Sequence, residues 1–125
     1  MNKFESKEDY LERILMLTEN NEIVRAIDIA NSMNYSKPSV SIALKKLKNE
    51  EYIVVDESTG SIKLTNKGYE VAIAIYHRHQ ILTKALNLIG VPLELAKEEA
   101  CKIEHDLSDE TIKTIENYIN KQKNT

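Results

Sequence analysis

The 125-residue chain is poor in residues that bend or cross-link the backbone: it has 3 Gly, 2 Pro and 1 Cys. It also has no Trp. Few Gly and Pro, beside 42% hydrophobic and 30% charged residues, argue against a disordered chain and favour helices. One Cys excludes an internal disulfide and fits a reducing cytoplasm. No apolar run reaches the roughly 18 residues of a membrane span, and no signal peptide opens the chain. We therefore expect a cytoplasmic protein with one domain, or with two small subdomains.

The formal net charge of −3 is unevenly distributed along the chain. Residues 1–33, 34–67 and 68–125 carry net charges of −3, +2 and −2. An acidic total argues mildly against a nucleic-acid partner, but only the middle third is basic. A DNA-reading element, if the chain has one, would lie there.

The middle third has the pattern of a helix-turn-helix motif. Apolar spacing predicts helices over about 7–19, 25–33 and 37–50, and Ser36-Lys37-Pro38 has the form of an N-cap followed by Pro in the first turn. Opposite its apolar seam, the third helix carries small polar residues first and lysines later. In a helix-turn-helix these positions meet base edges and phosphates, although a solvated lysine face would look the same.

A β-hairpin follows the motif, since residues 52–55 and 61–64 are rich in β-formers and flank a turn. A hairpin in this position is a wing, so we expect residues 1–66 to form a winged helix-turn-helix DNA-binding domain. Lys63 of the hairpin completes the candidate DNA contacts, which are Ser36, Lys37, Pro38, Ser39, Ser41, Ile42, Lys45, Lys46 and Lys63.

The rest of the chain predicts three further helices, over about 66–89, 93–106 and 109–121. The first would be roughly 36 Å long at 1.5 Å per residue. That length leaves apolar surface for the following helices and for a second subunit. Residues 67–125 are therefore predicted to form a helical dimerisation domain, and the fold class to be mostly α.

One stretch of the C-terminal part contains three residues of types that ligate metal ions. On a helix, Cys101, Glu104 and His105 stand at i, i+3 and i+4 and share one face. A thiolate, a carboxylate and an imidazole on one face can bind a transition-metal ion. Three ligands do not complete a coordination sphere, so another must come from elsewhere in the chain. The alternative is a small core Cys beside a solvated Glu-His pair.

The order of elements and several short motifs resemble the diphtheria-toxin-repressor and manganese-transport-regulator family of metal-dependent transcriptional repressors. The likeness runs from about residue 8 to residue 118. The motifs that carry it are Ser36-Lys37-Pro38-Ser39-Val40-Ser41, Leu64-Thr65-Asn66-Lys67-Gly68, Arg78-His79 and Glu99-Ala100-Cys101-Lys102-Ile103-Glu104-His105-Asp106-Leu107-Ser108.

The resemblance implies two metal positions. Asp9 stands at a ligand position that is Met in iron-type members and Asp in manganese-type members. Glu12 matches a second carboxylate of the manganese type, and His79 a ligand of the other metal position. We expect a primary site of Asp9, Cys101, Glu104 and His105, and a second, weaker site of Glu12, His79 and Glu98.

The chain combines ligand residues typical of both branches of that family, so it matches neither branch fully. Cys101 is the iron-type choice, whereas Asp9 and Glu12 are manganese-type choices. Thr83 and Lys97 stand where iron-type members place ancillary ligands, and we expect this chain to lack their C-terminal SH3-like domain. The thiolate favours Fe(II) slightly over Mn(II), and Co(II), Ni(II) or Zn(II) can substitute in vitro.

The expected function is a regulator that binds operator DNA as a homodimer when loaded with metal, controlling genes of metal homeostasis. It would not be an enzyme. Three alternatives stay open at this stage. They are a winged-helix regulator that senses a small ligand or thiol oxidation at Cys101, a metallohydrolase, and a winged helix used only as a protein-interaction scaffold.

Overall fold

Six helices and one hairpin make up the chain in a computed structural model that describes the backbone of residues 3–123 and the side chains of residues 7–122. The predicted mostly α fold is confirmed. The elements are α1 Lys3–Asn20, α2 Ala26–Met33, α3 Lys37–Asn49, β1 Ile53–Val55, β2 Ile62–Leu64, α4 Asn66–Leu88, α5 Leu93–Ile103 and α6 Asp109–Lys123. Residues 1–73 and 74–125 form two compact units. No described helix is long and apolar enough to cross a membrane.

The first unit contains the helix-turn-helix. The turn between α2 and α3 uses Asn34 at φ 58, a left-handed conformation that Asn tolerates better than most residues. Ser36 then caps α3, its hydroxyl oxygen accepting from the backbone N–H of Ser39 at 3.3 Å. α1 packs against α2 and β2, and α3 against α2 and β1. The apolar seam of α3 is buried in this core and contains Val40, Leu44 and Leu47.

The predicted wing is present as two antiparallel strands in which Ile53 pairs with Leu64. Its tip is held by local contacts: Asp56 accepts hydrogen bonds from the hydroxyl and the backbone N–H of Ser58, and these bonds lower the pKa of the Asp56 carboxyl. Arg25, at the start of α2, donates from Nε to the carbonyl oxygen of Thr59 at 2.8 Å. The wing tip is therefore tied to the helix-turn-helix.

Tyr52 anchors the start of α4 within the first unit. Thr65 caps this helix, its hydroxyl oxygen accepting from the N–H of Gly68 at 3.1 Å. A Cβ at Gly68 would collide with the carbonyl oxygen of Tyr52 and lie 3.0 Å from its carbonyl carbon. Glycine is therefore needed at position 68, where the two backbones approach closely. The Tyr52 ring is in turn held by the ammonium groups of Lys7 and Lys67, which lie 3.9 and 4.2 Å from its centroid.

The second unit is a small helical core built from α5, α6 and the later part of α4. Its buried cluster is formed by Ile81, Leu82, Ala100, Ile112 and Ile119. The helix predicted over 93–106 ends earlier, at Ile103, and a tighter turn follows in which the N–H of Asp106 bonds to the carbonyl oxygen of Ile103. Glu104 and His105 therefore lie at the end of α5 and in the turn after it.

We predict that Gly68→Ala lowers the free energy of unfolding of the first unit by up to about 2 kcal/mol, the usual overpacking cost of about 1 to 3 kcal/mol less the gain in helix propensity. The added methyl group has no space beside the Tyr52 carbonyl, and this cost exceeds the helix propensity gained, about 1 kcal/mol. Urea denaturation followed by circular dichroism measures the change. Glu70→Ala, exposed on the same helix, is the matched control and should change stability little. Equal stability of the two variants would contradict the prediction.

Candidate metal centre and DNA-binding surface

The candidate DNA contacts form an exposed surface of the first unit. Every predicted contact residue of α3 is exposed, and Ile42 retains 72% of its accessible area. α3 carries no acidic residue in its first turn and has Lys46 and Lys48 in its last. The surface is therefore basic and projects from a rigid, buried seam.

Two details modify how this surface can act. The hydroxyl groups of Ser36 and Ser39 are hydrogen-bonded to each other at 2.8 Å, so they are held at the start of α3. Lys48 forms an ion pair with Glu57 of the wing tip at 2.8 Å, so its positive charge is partly neutralised within the protein. Lys63 of the wing is exposed.

A fully buried carboxylate dominates the second unit. Glu104 has no exposed side-chain surface, and each of its oxygens faces an imidazole. Its Oε2 lies 2.9 Å from Nδ1 of His79, and its Oε1 lies 3.5 Å from Nε2 of His105. A buried carboxylate is costly unless it is paired or hydrogen-bonded, and the imidazole nitrogen atoms are the groups that the structure places beside it.

Cys101 lies beside the same carboxylate. Its Sγ is 3.6 Å from Nδ1 of His79, and the donor atoms of Cys101, His79 and Glu104 all lie within 4.8 Å of one another. α5 presents the thiol, α4 the imidazole, and the C-cap position of α5 the carboxylate. A soft thiolate, an imidazole and a carboxylate at this spacing suit a divalent transition metal. The residues therefore fit the metal that their sequence pattern predicts.

The remaining predicted ligands lie on the helices expected for them. Asp9 is half-buried and Glu12 buried on α1, in the first unit. Glu98 is exposed on α5 and belongs to no cluster of three candidate ligands within residues 7–122. His77 is separate from this group, because it pairs with Glu116 of α6 at 3.1 Å.

Two positions that differ from iron-type members have distinct surroundings. Lys97 is exposed and lies 3.6 Å from the carboxylate of Glu94, so it offers no ligand. Thr83 is buried on α4, one turn after His79, and its hydroxyl has no hydrogen-bond partner in the described part of the chain.

The sequence analysis assigned no role to Arg78, although the structure places it against the turn that carries Glu104 and His105. Its Nε donates to the carbonyl oxygen of Glu104 at 2.7 Å, and its Nη2 to that of Leu107. Its Nη1 pairs with Asp109 at 2.8 Å. Helical spacing could not reveal this residue, because its partners lie 26 to 31 positions later in the chain. Its position directly before His79 was the only signal.

Comparison with known proteins covers nearly the whole chain. The family profile described as "Iron dependent repressor, N-terminal DNA binding domain" matches residues 4–61. The profile described as "Iron dependent repressor, metal binding and dimerisation domain" matches residues 65–125. The two profiles together therefore match both halves of the chain in order.

Individual relatives agree with the profiles. An uncharacterized HTH-type transcriptional regulator of Methanocaldococcus jannaschii is 37% identical over 121 residues, which are 95% of this chain and 96% of that protein. The HTH-type transcriptional regulator MntR of Bacillus subtilis is 36% identical over 110 residues, 88% of this chain and 77% of MntR. The solved structure of the manganese regulator SloR superposes with a TM-score of 0.79 at 33% identity, and the match covers 91% of this chain.

The chain spans about half the length of the SloR chain, 53%. Proteins of the family are repressors of transcription and not enzymes, which removes the metallohydrolase alternative. With both halves matched in chain order, and with a thiol, an imidazole and a carboxylate gathered at the end of α5, this chain belongs to the iron-dependent repressor family, the group of metal-dependent transcriptional repressors that includes MntR.

Proposed function

We propose that this chain is a cytoplasmic repressor that binds operator DNA as a homodimer when it is loaded with Fe(II) or Mn(II), and so controls genes of metal homeostasis. The observation that carries the proposal is the buried carboxylate of Glu104 between the donors of His79 and Cys101 on one side and that of His105 on the other. The exposed basic face of α3 supports the other part of the proposal, binding to DNA.

Glu104 offers a different oxygen to each set of donors, an arrangement that suits two ions per subunit. His79, Cys101 and the Oε2 side of Glu104 would hold one ion. His105 and the Oε1 side of Glu104 would hold the other, with Asp9 of the first unit as a further ligand. Glu12 and Glu98 remain proposed supporting ligands. In this grouping Cys101 joins His79, whereas the resemblance alone placed it in the primary set with Asp9 and His105.

A bound divalent ion would supply positive charge that neutralises Glu104 and the other anionic donors. On α1, Asp9 directly precedes the buried residues Tyr10 and Leu11. A restraint on Asp9 would therefore act on the core of the DNA-binding unit. Without the ion the anionic donors would repel one another, and the DNA-binding units would sample many orientations. Metal favours the competent orientation only by its higher affinity for it.

The DNA-competent orientation places two copies of α3 in successive major grooves. Such half-sites lie about 34 Å apart on one face of the duplex, and their symmetry follows that of the dimer. The early residues of α3, Ser36 to Ser39, would meet base edges, while Lys45 and Lys46 would meet phosphates. The metal-binding and dimerisation profile matched by residues 65–125 supports the dimer.

The choice between Fe(II) and Mn(II) follows from the donors. The thiolate of Cys101 favours Fe(II), because sulfur is a soft donor. The carboxylates of Asp9 and Glu12 are hard donors that suit Mn(II), and SloR is a manganese regulator. We propose a modest preference for Fe(II).

The exposure of the Cys101 thiol favours a second candidate, a regulator that responds to thiol oxidation or to a small ligand without metal. Anaerobic equilibrium dialysis followed by elemental analysis separates the two. Bound metal at one or two equivalents per chain supports the first proposal, and none supports the second.

Glu104→Gln and His105→Ala should each abolish metal-dependent operator binding, because each removes a proposed ligand. The operator is selected from a random duplex library with the Mn(II)-loaded wild type and then used in gel shifts. Circular dichroism should show unchanged helix content. Glu110→Gln, exposed on α6, is the control and should bind like the wild type. An unchanged gel shift for Glu104→Gln would reject the metal switch.

Cys101→Ser should remove the thiolate-to-metal charge-transfer band of the Co(II)-loaded protein and weaken Co(II) binding at least about tenfold, the lower end of the losses seen even for outer partners of metal sites. The serine hydroxyl is a poorer donor than the thiolate. Anaerobic absorption titration measures both quantities. A band of full intensity in Cys101→Ser would show that this thiol is not a ligand.

Lys45→Ala should weaken binding to operator and random duplexes alike and reduce the salt slope by about one, because a phosphate contact carries no sequence information. Fluorescence anisotropy at several salt concentrations measures this. Lys113→Ala, exposed on α6, removes the same charge from the second unit and should leave the slope unchanged. Loss of operator binding alone would instead indicate a base contact.

A further inference from the structure

Arg78 lies half-buried against the turn that carries the proposed ligands, with 13% of its side chain exposed. Helix α5 ends at Ile103, and a helix end leaves carbonyl groups without partners inside the helix. The guanidinium supplies partners for two carbonyl groups of this region, those of Glu104 and Leu107. It also pairs with Asp109 in the first turn of α6.

Helix α4 consequently holds Glu104 at two points. Arg78 holds its backbone carbonyl at 2.7 Å, and the next residue, His79, contacts its carboxylate at 2.9 Å. Side chains at consecutive helical positions diverge by about 100°, so one reaches the main chain while the other reaches the acid. With its backbone held, Glu104 can present its two oxygens in only a narrow range of directions.

We propose that Arg78 is a positioning residue of the metal centre: it holds the Glu104–Leu107 turn so that Glu104 and His105 face their ion before the ion arrives. Arg78 itself offers no ligand, because a guanidinium stays protonated and has no acceptor. Its contribution is to remove from metal binding the cost of ordering this turn. The inference rests on the proposed metal centre.

Arginine is required at this position because of the shape of its donors. Three nitrogen atoms at fixed spacing reach two carbonyl oxygens and one carboxylate, whereas the three donors of a lysine ammonium all lie on a single nitrogen atom. The pair with Asp109 is the least important of the three contacts, since Asp109 is fully exposed and water screens the interaction.

The test compares Arg78→Gln, Arg78→Lys and Asp109→Asn with the wild type, using Co(II) as the probe under anaerobic conditions. We expect both Arg78 variants to weaken Co(II) binding by roughly 10- to 100-fold, as loss of an outer partner of a metal site does. The rise in melting temperature at fixed Co(II) concentration should shrink in the same variants. Asp109→Asn keeps both carbonyl contacts and should behave like the wild type.

A purely structural role would give another result: both Arg78 variants would melt earlier without metal, yet gain the wild-type rise on adding Co(II). That result would overturn the proposed role of Arg78 but not the proposed metal centre. If the wild type binds no Co(II), both proposals are contradicted. If Arg78→Gln does not fold, Arg78→Lys, which keeps the charge and the aliphatic stem, decides the matter by its Co(II) affinity.

Discussion

The buried carboxylate of Glu104 is the constraint around which the second unit is organised. A carboxylate with no exposed surface needs polar partners, and the structure places an imidazole beside each of its oxygens, His79 at 2.9 Å and His105 at 3.5 Å. The same groups are good transition-metal ligands. The contacts that stabilise the carboxylate within the fold are therefore the contacts that a divalent ion would take over, which links the stability of this unit to metal binding.

The first unit uses a different device, a rigid platform for an exposed basic helix. The buried seam of α3 packs into the core, while its lysines point to solvent. Arg25 connects the wing tip to the start of α2. Tyr52, directly before the hairpin, connects it to the start of α4 through the bond from the N–H of Thr65 to its carbonyl oxygen. These polar ties hold the recognition surface in shape without using its outward side chains.

Part of the candidate site is visible in the chain alone because three of its proposed ligands cluster in sequence. Cys101, Glu104 and His105 lie within five positions, and the pattern around Ser36 marks the start of α3 by elementary capping chemistry. The helix carrying the ligands was predicted three residues too long. The reason is tertiary: carbonyl groups beyond Ile103 bond to Arg78, so the turn after α5 does not need a further turn of helix to satisfy them.

The amino-acid sequence by itself determined the mostly α fold, the winged helix-turn-helix, and the residue types of the candidate metal centre. Those follow from periodicity, caps and local spacing, which act within one element. Only the tertiary structure decided that His79 meets both Cys101 and Glu104, and that Arg78 grips the turn beside them. Such partners lie 22 to 26 positions apart on different helices, and helical spacing says nothing about how two helices are rotated against each other. Packing of the apolar cluster around Leu82 and Ala100 sets that rotation.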